Sequence, residues 1–323
     1  MRVLRVVCIF GLLISCAVAD IPTTAGANWP AWRGPLGTGV ARDASPPTSW
    51  SETENILWKV PVPGRGNSSP IVWGDRVYVT TAISTTAPPA PRGVGGRRDG
   101  LVPAGKVKHD IFAINRMNGD VVWRKTAIET TPHEGTHPDG TWASNSPITD
   151  GERLYVFFGS RGIFCYNLDG ELLWSKDLGD QKTRNGFGEG SSPALYDDYL
   201  VLNWDHEGDS FVVALDKHSG KERWRRAREE RTAWSTPLIA EVNGKAQVIT
   251  TATNLSRAYD LESGKDIWES AGMTVNVIPS PIYANGMVYL ISGFRGAVLQ
   301  AVDVEKAIGD IGGTDAIVCP LRS

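Results

Sequence analysis

Ala214-Leu215-Asp216-Lys217-His218-Ser219-Gly220-Lys221-Glu222-Arg223-Trp224 is the clearest copy of a pattern that recurs along most of this chain. Its first landmark, Ala-x-Asp, returns as Ala113-Ile114-Asn115, Cys165-Tyr166-Asn167, Ala258-Tyr259-Asp260 and Ala301-Val302-Asp303. Its second, Gly-x-x-x-Trp, returns as Gly119…Trp123, Gly170…Trp174 and Gly264…Trp268. Upstream of each copy stands a Ser-Pro or Thr-Pro pair: Ser69-Pro70, Ser146-Pro147, Ser192-Pro193, Thr236-Pro237 and Ser280-Pro281, the last three intervals being 46, 44 and 44 residues. Between the landmarks lie short apolar runs bounded by Asp, Asn, Ser and Gly, which accept the turn conformations that β-branched residues resist. A repeat of this length with this content predicts the four-stranded blade of a β-propeller.

The third copy predicts the strands of one blade: Ser192 to Tyr196, Tyr199 to Trp204, Phe211 to Asp216, and an outer strand Glu222 to Arg226 around Trp224. Pro at the start of a strand loses no ladder hydrogen bond. The small Ala leaves room for a ring, and the Trp is expected to spread across the junction between blades with its N–H on a carbonyl. Because Trp224 stays in register with the other copies, the charged run Lys221 to Arg231 reads as a solvated outer strand and loop, not a nucleic-acid patch. A net charge of −3 likewise gives no reason to expect a polyanionic partner.

The predicted organisation is a signal peptide over 1–19, an N-terminal extension over 20–50, propeller repeats over 51–310, and an incomplete last strand or tail over 311–323. Arg2 and Arg5 precede an apolar run from Val6 to Ile14 that is too short to span a bilayer, and Ala17-Val18-Ala19 offers a cleavage site before Asp20. Leu13-Ile14-Ser15-Cys16 also resembles the bacterial lipobox, which would place a lipid on Cys16. Simple secretion and lipidation both take the protein out of the cytosol. Cysteines remaining after cleavage, Cys165, Cys319 and conditionally Cys16, make no disulfide framework, so packing must hold the fold. An insertion rich in Pro, Gly and Arg, roughly Thr85 to Lys108, stretches the first repeat. Leu57-Trp58-Lys59 reads as the outer strand of a blade whose other strands come from elsewhere. The fifth copy ends without a closing Trp, so the five repeats read as part of a truncated seven- or eight-bladed ring, the alternative being tight closure of five.

These landmarks, Ala214 to Trp224 above all, resemble the PQQ-like β-propeller repeat family, which includes the outer-membrane assembly lipoprotein BamB and, more distantly, quinoprotein alcohol dehydrogenases. The resemblance covers about residues 28 to 315, and Trp29-Pro30-Ala31-Trp32-Arg33-Gly34-Pro35 looks like the opening of secreted members. It implies a non-catalytic periplasmic or secreted scaffold that binds a protein partner of the cell envelope, with β-strand addition at an exposed edge as one mode. A quinoprotein dehydrogenase, carrying PQQ and calcium, is the alternative. It would need a vicinal cysteine pair over the quinone, an indole beneath it and a calcium site with an Asp base, and this sequence has no adjacent cysteines.

No catalytic or cofactor-binding residue is assigned from the sequence. His133-Glu134-Gly135-Thr136-His137 matches the zinc-peptidase pattern letter for letter, but that chemistry needs both imidazoles on one helix face, and Pro132 and Pro138 bracket the motif. The segment reads as an inter-blade loop, with His133, His137 and Asp139 as candidate metal donors. Asp205, Glu207 and Asp209 alternate along a turn and are candidate oxygen ligands for calcium. Gly100 to Lys106 nearly matches a phosphate loop but lacks the following Ser or Thr.

Overall fold

The computed structural model describes residues 28–42, 44–86 and 105–322; the signal sequence, Cys16 and most of the insertion and of the phosphate-loop look-alike lie outside them. The described chain is almost entirely strand and turn, with two single 3₁₀ turns at Gly159–Arg161 and Arg184–Gly186. Five sheets follow one another in sequence. The first holds β1 (Ile71–Trp73), β2 (Arg76–Ser84), β3 (Val107–Asn115) and β4 (Val121–Thr130); the second β5 (Ile148–Thr149), β6 (Arg153–Phe157), β7 (Ile163–Asn167) and β8 (Leu172–Lys176). The third holds β9 (Ala194–Tyr196), β10 (Tyr199–Trp204), β11 (Ser210–Asp216) and β12 (Glu222–Arg228); the fourth β13 (Leu238–Val242), β14 (Lys245–Thr250), β15 (Leu255–Asp260) and β16 (Asp266–Ala271). The fifth holds β17 (Ile282–Ala284), β18 (Met287–Ser292), β19 (Val298–Asp303) and β21 (Ile317–Arg322), while β20 (Gly309–Asp310) adds to the fourth sheet, parallel to β16. Within each four-stranded set the pairing is antiparallel, so these are the expected propeller blades.

Middle strands such as Tyr199–Trp204 and Ser210–Asp216 are buried along nearly their whole length, because each blade packs a neighbour on both faces. Their apolar residues are therefore continuous and do not alternate. Outer strands such as β12 carry the charge. The core is accordingly divided among junctions. Tyr155 and Phe157 of the second blade pack toward Leu200 and Leu202 of the third, while Leu154 and Val156, one residue out of phase, pack toward the first. Two further clusters join the third blade to the fourth and the fourth to the fifth.

Two devices bind the blades, and both use the sequence landmarks. From the second blade on, the hydroxyl of each Ser-Pro or Thr-Pro pair accepts the backbone N–H of the equivalent residue one blade earlier. Ser69 donates to Ser146 Oγ, Ser146 to Ser192 Oγ, Ser192 to Thr236 Oγ1 and Thr236 to Ser280 Oγ, each at 2.9 Å. At the outer edge, each Trp lies opposite the small residue of its own blade, Ala113 facing Trp123 and Ala214 facing Trp224. Its ring then rests on the landmark glycine of the next blade: Trp123 on Gly170, Trp174 on Gly220, Trp224 on Gly264. The indole N–H reaches a carbonyl beside that glycine, Leu168 at 2.9 Å, Lys217 at 3.1 Å and Leu261 at 2.6 Å.

Within the stretch 311–323, expected as an incomplete last strand or a tail, Ile317–Arg322 form β21, which pairs with β19 in the register Ala301↔Cys319 and Val302↔Ile317 as the fourth strand of the fifth blade. In this strand Cys319 holds the register position that Trp holds in the other blades. In the fifth blade the socket glycine is also gone. The turn from Val304 to Ile311 instead puts Val304, Ala307 and Ile311 into the buried cluster that holds Trp268, whose Nε1 has no hydrogen-bond partner.

Candidate functional site

Three places gather the residues that could act. The first is the axis. A cavity of about 790 Å³ opens there, lined from every blade, with Trp32, Phe187 and Trp234 among its rings and Arg184, Asn276 and Arg295 among its polar groups. Its Trp32 comes from the N-terminal extension, which is tied to the inner strands. Trp29 exchanges two backbone hydrogen bonds with Val72, Thr149 N–H donates to Pro30 O, and Arg33 Nη1 donates to Ser280 O and Pro281 O at 3.3 and 3.2 Å. The segment thus runs from the first blade past the second to the fifth. Arg33 stacks over Trp32 at 4.5 Å, and burial lowers its guanidinium below the ordinary arginine value. Three residues lining the cavity, Asn185, Asn276 and Arg295, hold left-handed backbone conformations, which side chains other than Asn and Gly adopt at a cost.

The second place lies beside it. The His133–His137 loop is irregular, as Pro138 dictates, and the structure sends its two imidazoles to different cavities. His137 accepts the Asp139 N–H on Nδ1 at 3.2 Å and packs edge-on to Phe187. His133 instead meets Glu134 and Glu189, their ligand atoms all within 4.8 Å of one another; among the described residues this is the one such group of three. His133 Nε2 lies 2.6 Å from Gln181 O, and Arg161 Nη2 lies 3.0 Å from Nδ1. A carbonyl can only accept and a guanidinium can only donate, so Nε2 carries the proton and Nδ1 the lone pair. Glu134 accepts the Thr183 N–H and hydroxyl. Glu189 accepts the Ser160 N–H at 2.7 Å and the Ser160 hydroxyl, and it lies so close to Gly159 that a Cβ there would fall 1.3 Å from its Oε2. Burial pushes the Glu189 carboxyl up to about 7 against the pull of Ser160, and the Glu134 carboxylate adds to the rise. Between them is a cavity of about 20 Å³ walled in part by His109, Trp142 and Phe158. His109 is fully buried, and burial lowers its imidazole to about 4. The Ile128 and Val107 carbonyls approach its ring without completing a hydrogen bond on either nitrogen. Glu189 could not have been paired with His133 from the sequence, since it arrives from a different inter-blade loop.

The acidic turn does not converge. Asp205 is fully buried and bidentate with Arg228, at 2.8 and 3.1 Å, and Arg228 continues to Thr250 and Tyr259. Glu207 accepts the Thr232 N–H and hydroxyl, and Asp209 is exposed.

The third place is the outer edge of the first blade. Trp58 rests on Gly119 and donates its indole N–H to Arg116 O at 2.8 Å, occupying on the first blade the socket that Trp123, Trp174 and Trp224 fill on later ones. Among the described residues no strand pairs with 56–60, and Ile56 and Leu57 are 48 % and 75 % exposed.

Among known proteins, the outer membrane protein assembly factor BamB of Francisella salina is 29 % identical over 108 residues, covering 33 % of this chain and 18 % of that protein. The chain thus aligns with about a fifth of that relative's length. The solved structure of BamB from Moraxella catarrhalis superposes with a TM-score of 0.45 at 14 % identity, over 71 % of this chain and 58 % of that one. Quinohemoprotein alcohol dehydrogenase from Comamonas testosteroni gives 0.48 at 9 % identity, over 76 % and 42 %. The family model described as outer membrane protein assembly factor BamB matches residues 46–185, 84–232 and 208–309, which together take in all five Ala-x-Asp landmarks. This chain, with its Trp-on-Gly junctions and its serine-linked inner strands, belongs to that family.

Proposed function

We propose that this protein is a protein-binding module of the cell envelope, and that it takes its partner by strand addition beside residues 56–60. The observation that carries the reading is Trp58. Its socket fixes an extended, apolar segment where the outer strand of a preceding blade would stand, yet among the described residues no inner strand lies alongside. Unpaired backbone flanked by exposed Ile56 and Leu57 is what an incoming extended segment needs: main-chain groups for affinity and apolar contacts for register. Relatives named for outer-membrane protein assembly support an envelope partner. The Arg2–Arg5 and Val6–Ile14 pattern supports export.

A photo-crosslinking residue in place of Leu57 should capture a protein in intact envelopes, and adding Trp58→Ala should abolish capture while the purified chain stays folded. Recovery of no protein, or capture that survives Trp58→Ala, would overturn the reading.

The quinoprotein alternative fits the donors poorly. Two indoles and two arginines line the axial cavity, but Cys165 is buried in β7 with its thiol pushed up to about 12, and Cys319 lies three blades away in β21. Asp205, a candidate calcium ligand, is committed to Arg228.

A further inference from the structure

The loop that mimics a zinc-peptidase motif has a use that does not depend on that motif. We propose that His133 Nδ1, Glu134 and Glu189 hold one divalent first-row transition-metal ion, zinc being the member that three such donors suit best, with a fourth position open to the small cavity beside them. The set differs from the one the letters suggest, since His137 lies outside this group of three.

Four observations carry the inference. One ligand atom from each of the three side chains already lies within 4.8 Å of the other two, and the side chains come from two inter-blade loops held by separate junctions. The His133 tautomer is the one a metal needs, because a ligating imidazole usually donates its other N–H to a carbonyl or carboxylate, here Gln181 O at 2.6 Å. Both carboxylates are oriented from behind by a Ser or Thr hydroxyl together with a backbone N–H. Independently, the buried His109 has no partner on either ring nitrogen, and its ring helps wall a cavity of about 20 Å³. That volume accommodates a single water or ion, and a metal-bound water there would give the orphaned imidazole a partner.

The donor set selects the ion. One imidazole and two carboxylates suit zinc or manganese, whereas calcium takes six to eight oxygens, more than these three side chains supply. Arg161 is the competitor, since its Nη2 now rests on the His133 lone pair while also pairing with Asp180. The ion replaces the first contact and leaves the second. Arg161→Gln therefore separates the two readings. If the guanidinium is merely the resident cation of the cluster, removing it creates no specific zinc site. If it competes with the ion, zinc binds more tightly.

The experiment is calorimetric titration of the untagged, chelator-stripped full chain with zinc, manganese and calcium, together with the visible spectrum of the cobalt form. One zinc per chain is expected, with a rise in Tm and a cobalt spectrum of low coordination number. His133→Ala and Glu189→Gln should each weaken zinc at least ten-fold, Arg161→Gln should tighten it, and His137→Ala should leave it unchanged. His133 lies on an exposed loop, so His133→Ala keeps the test valid if Glu189→Gln unfolds the chain. Zinc binding that survives His133→Ala, absence of saturable binding, or calcium binding in preference to zinc would each overturn the proposal.

Discussion

At the scale of single residues, the landmark glycines serve the preceding blade. Gly220 is left-handed at φ +68°, and a Cβ on it would lie 2.6 Å from the Trp174 ring; Gly74, at φ +58°, faces open space. Gly74→Ala should therefore cost only backbone strain, about 1 kcal/mol, whereas Gly220→Ala should cost about 2–4 kcal/mol because the indole must also move. Urea denaturation of both variants checks this, and equal losses would mean that the socket contributes little. His109 makes a second residue-scale prediction. Its ring titrates near 6.5 in the unfolded chain and at about 4 in the folded one. Between those values the unfolded chain binds a proton that the folded chain refuses, so this contribution to stability is complete above pH 6.5 and is lost as pH falls toward 4, by about 3 kcal/mol in all. The difference between wild type and His109→Leu across that range should show this slope. Parallel profiles would refute it.

At the scale of elements, the middle strands of each blade were legible, because continuous apolar runs such as Leu200-Val201-Leu202 between turn residues leave little choice. The bounds expected for Tyr199–Trp204 match the structure, and those for the third and outer strands differ by one or two residues. What the Ser-Pro pairs do was not legible, because each hydroxyl answers an amide 44 to 77 residues earlier in the chain. Nor was the path of Trp29 to Gly37, which has no period and takes its shape from the inner strands it crosses. The His133 cluster was half legible: the letters found His133 and Glu134, but Glu189 and the orphaned His109 arrive through tertiary structure. The crossing segment makes its own prediction. Arg33 alone ties it to the fifth blade among the bonds described above, so Arg33→Ala should raise hydrogen exchange and proteolysis over residues 28–40 and leave β9–β12 unchanged. Unaltered exchange in the segment would show that Trp29 and Pro30 hold it unaided.

At the scale of the molecule, stability is spread over junctions. Each interior blade shares two apolar clusters with its neighbours, while among the described residues no cluster joins the fifth blade to the first. Repeat arrays of this kind are stabilised mainly by nearest-neighbour interfaces. Amide exchange should therefore be slowest in β10 and β11 of the third blade and faster in the middle strands of the first and fifth; uniform protection would mean that the blades unfold as one unit. The serine linkage also has a direction, every amide donating to the following blade. Each junction is thus a plug and a receptacle of one fixed pattern, Ser N–H to Ser Oγ inside and indole to glycine outside. A 44-residue module could be duplicated or excised in frame at such a boundary without inventing a new kind of contact, so the architecture lets a lineage change its number of blades one at a time.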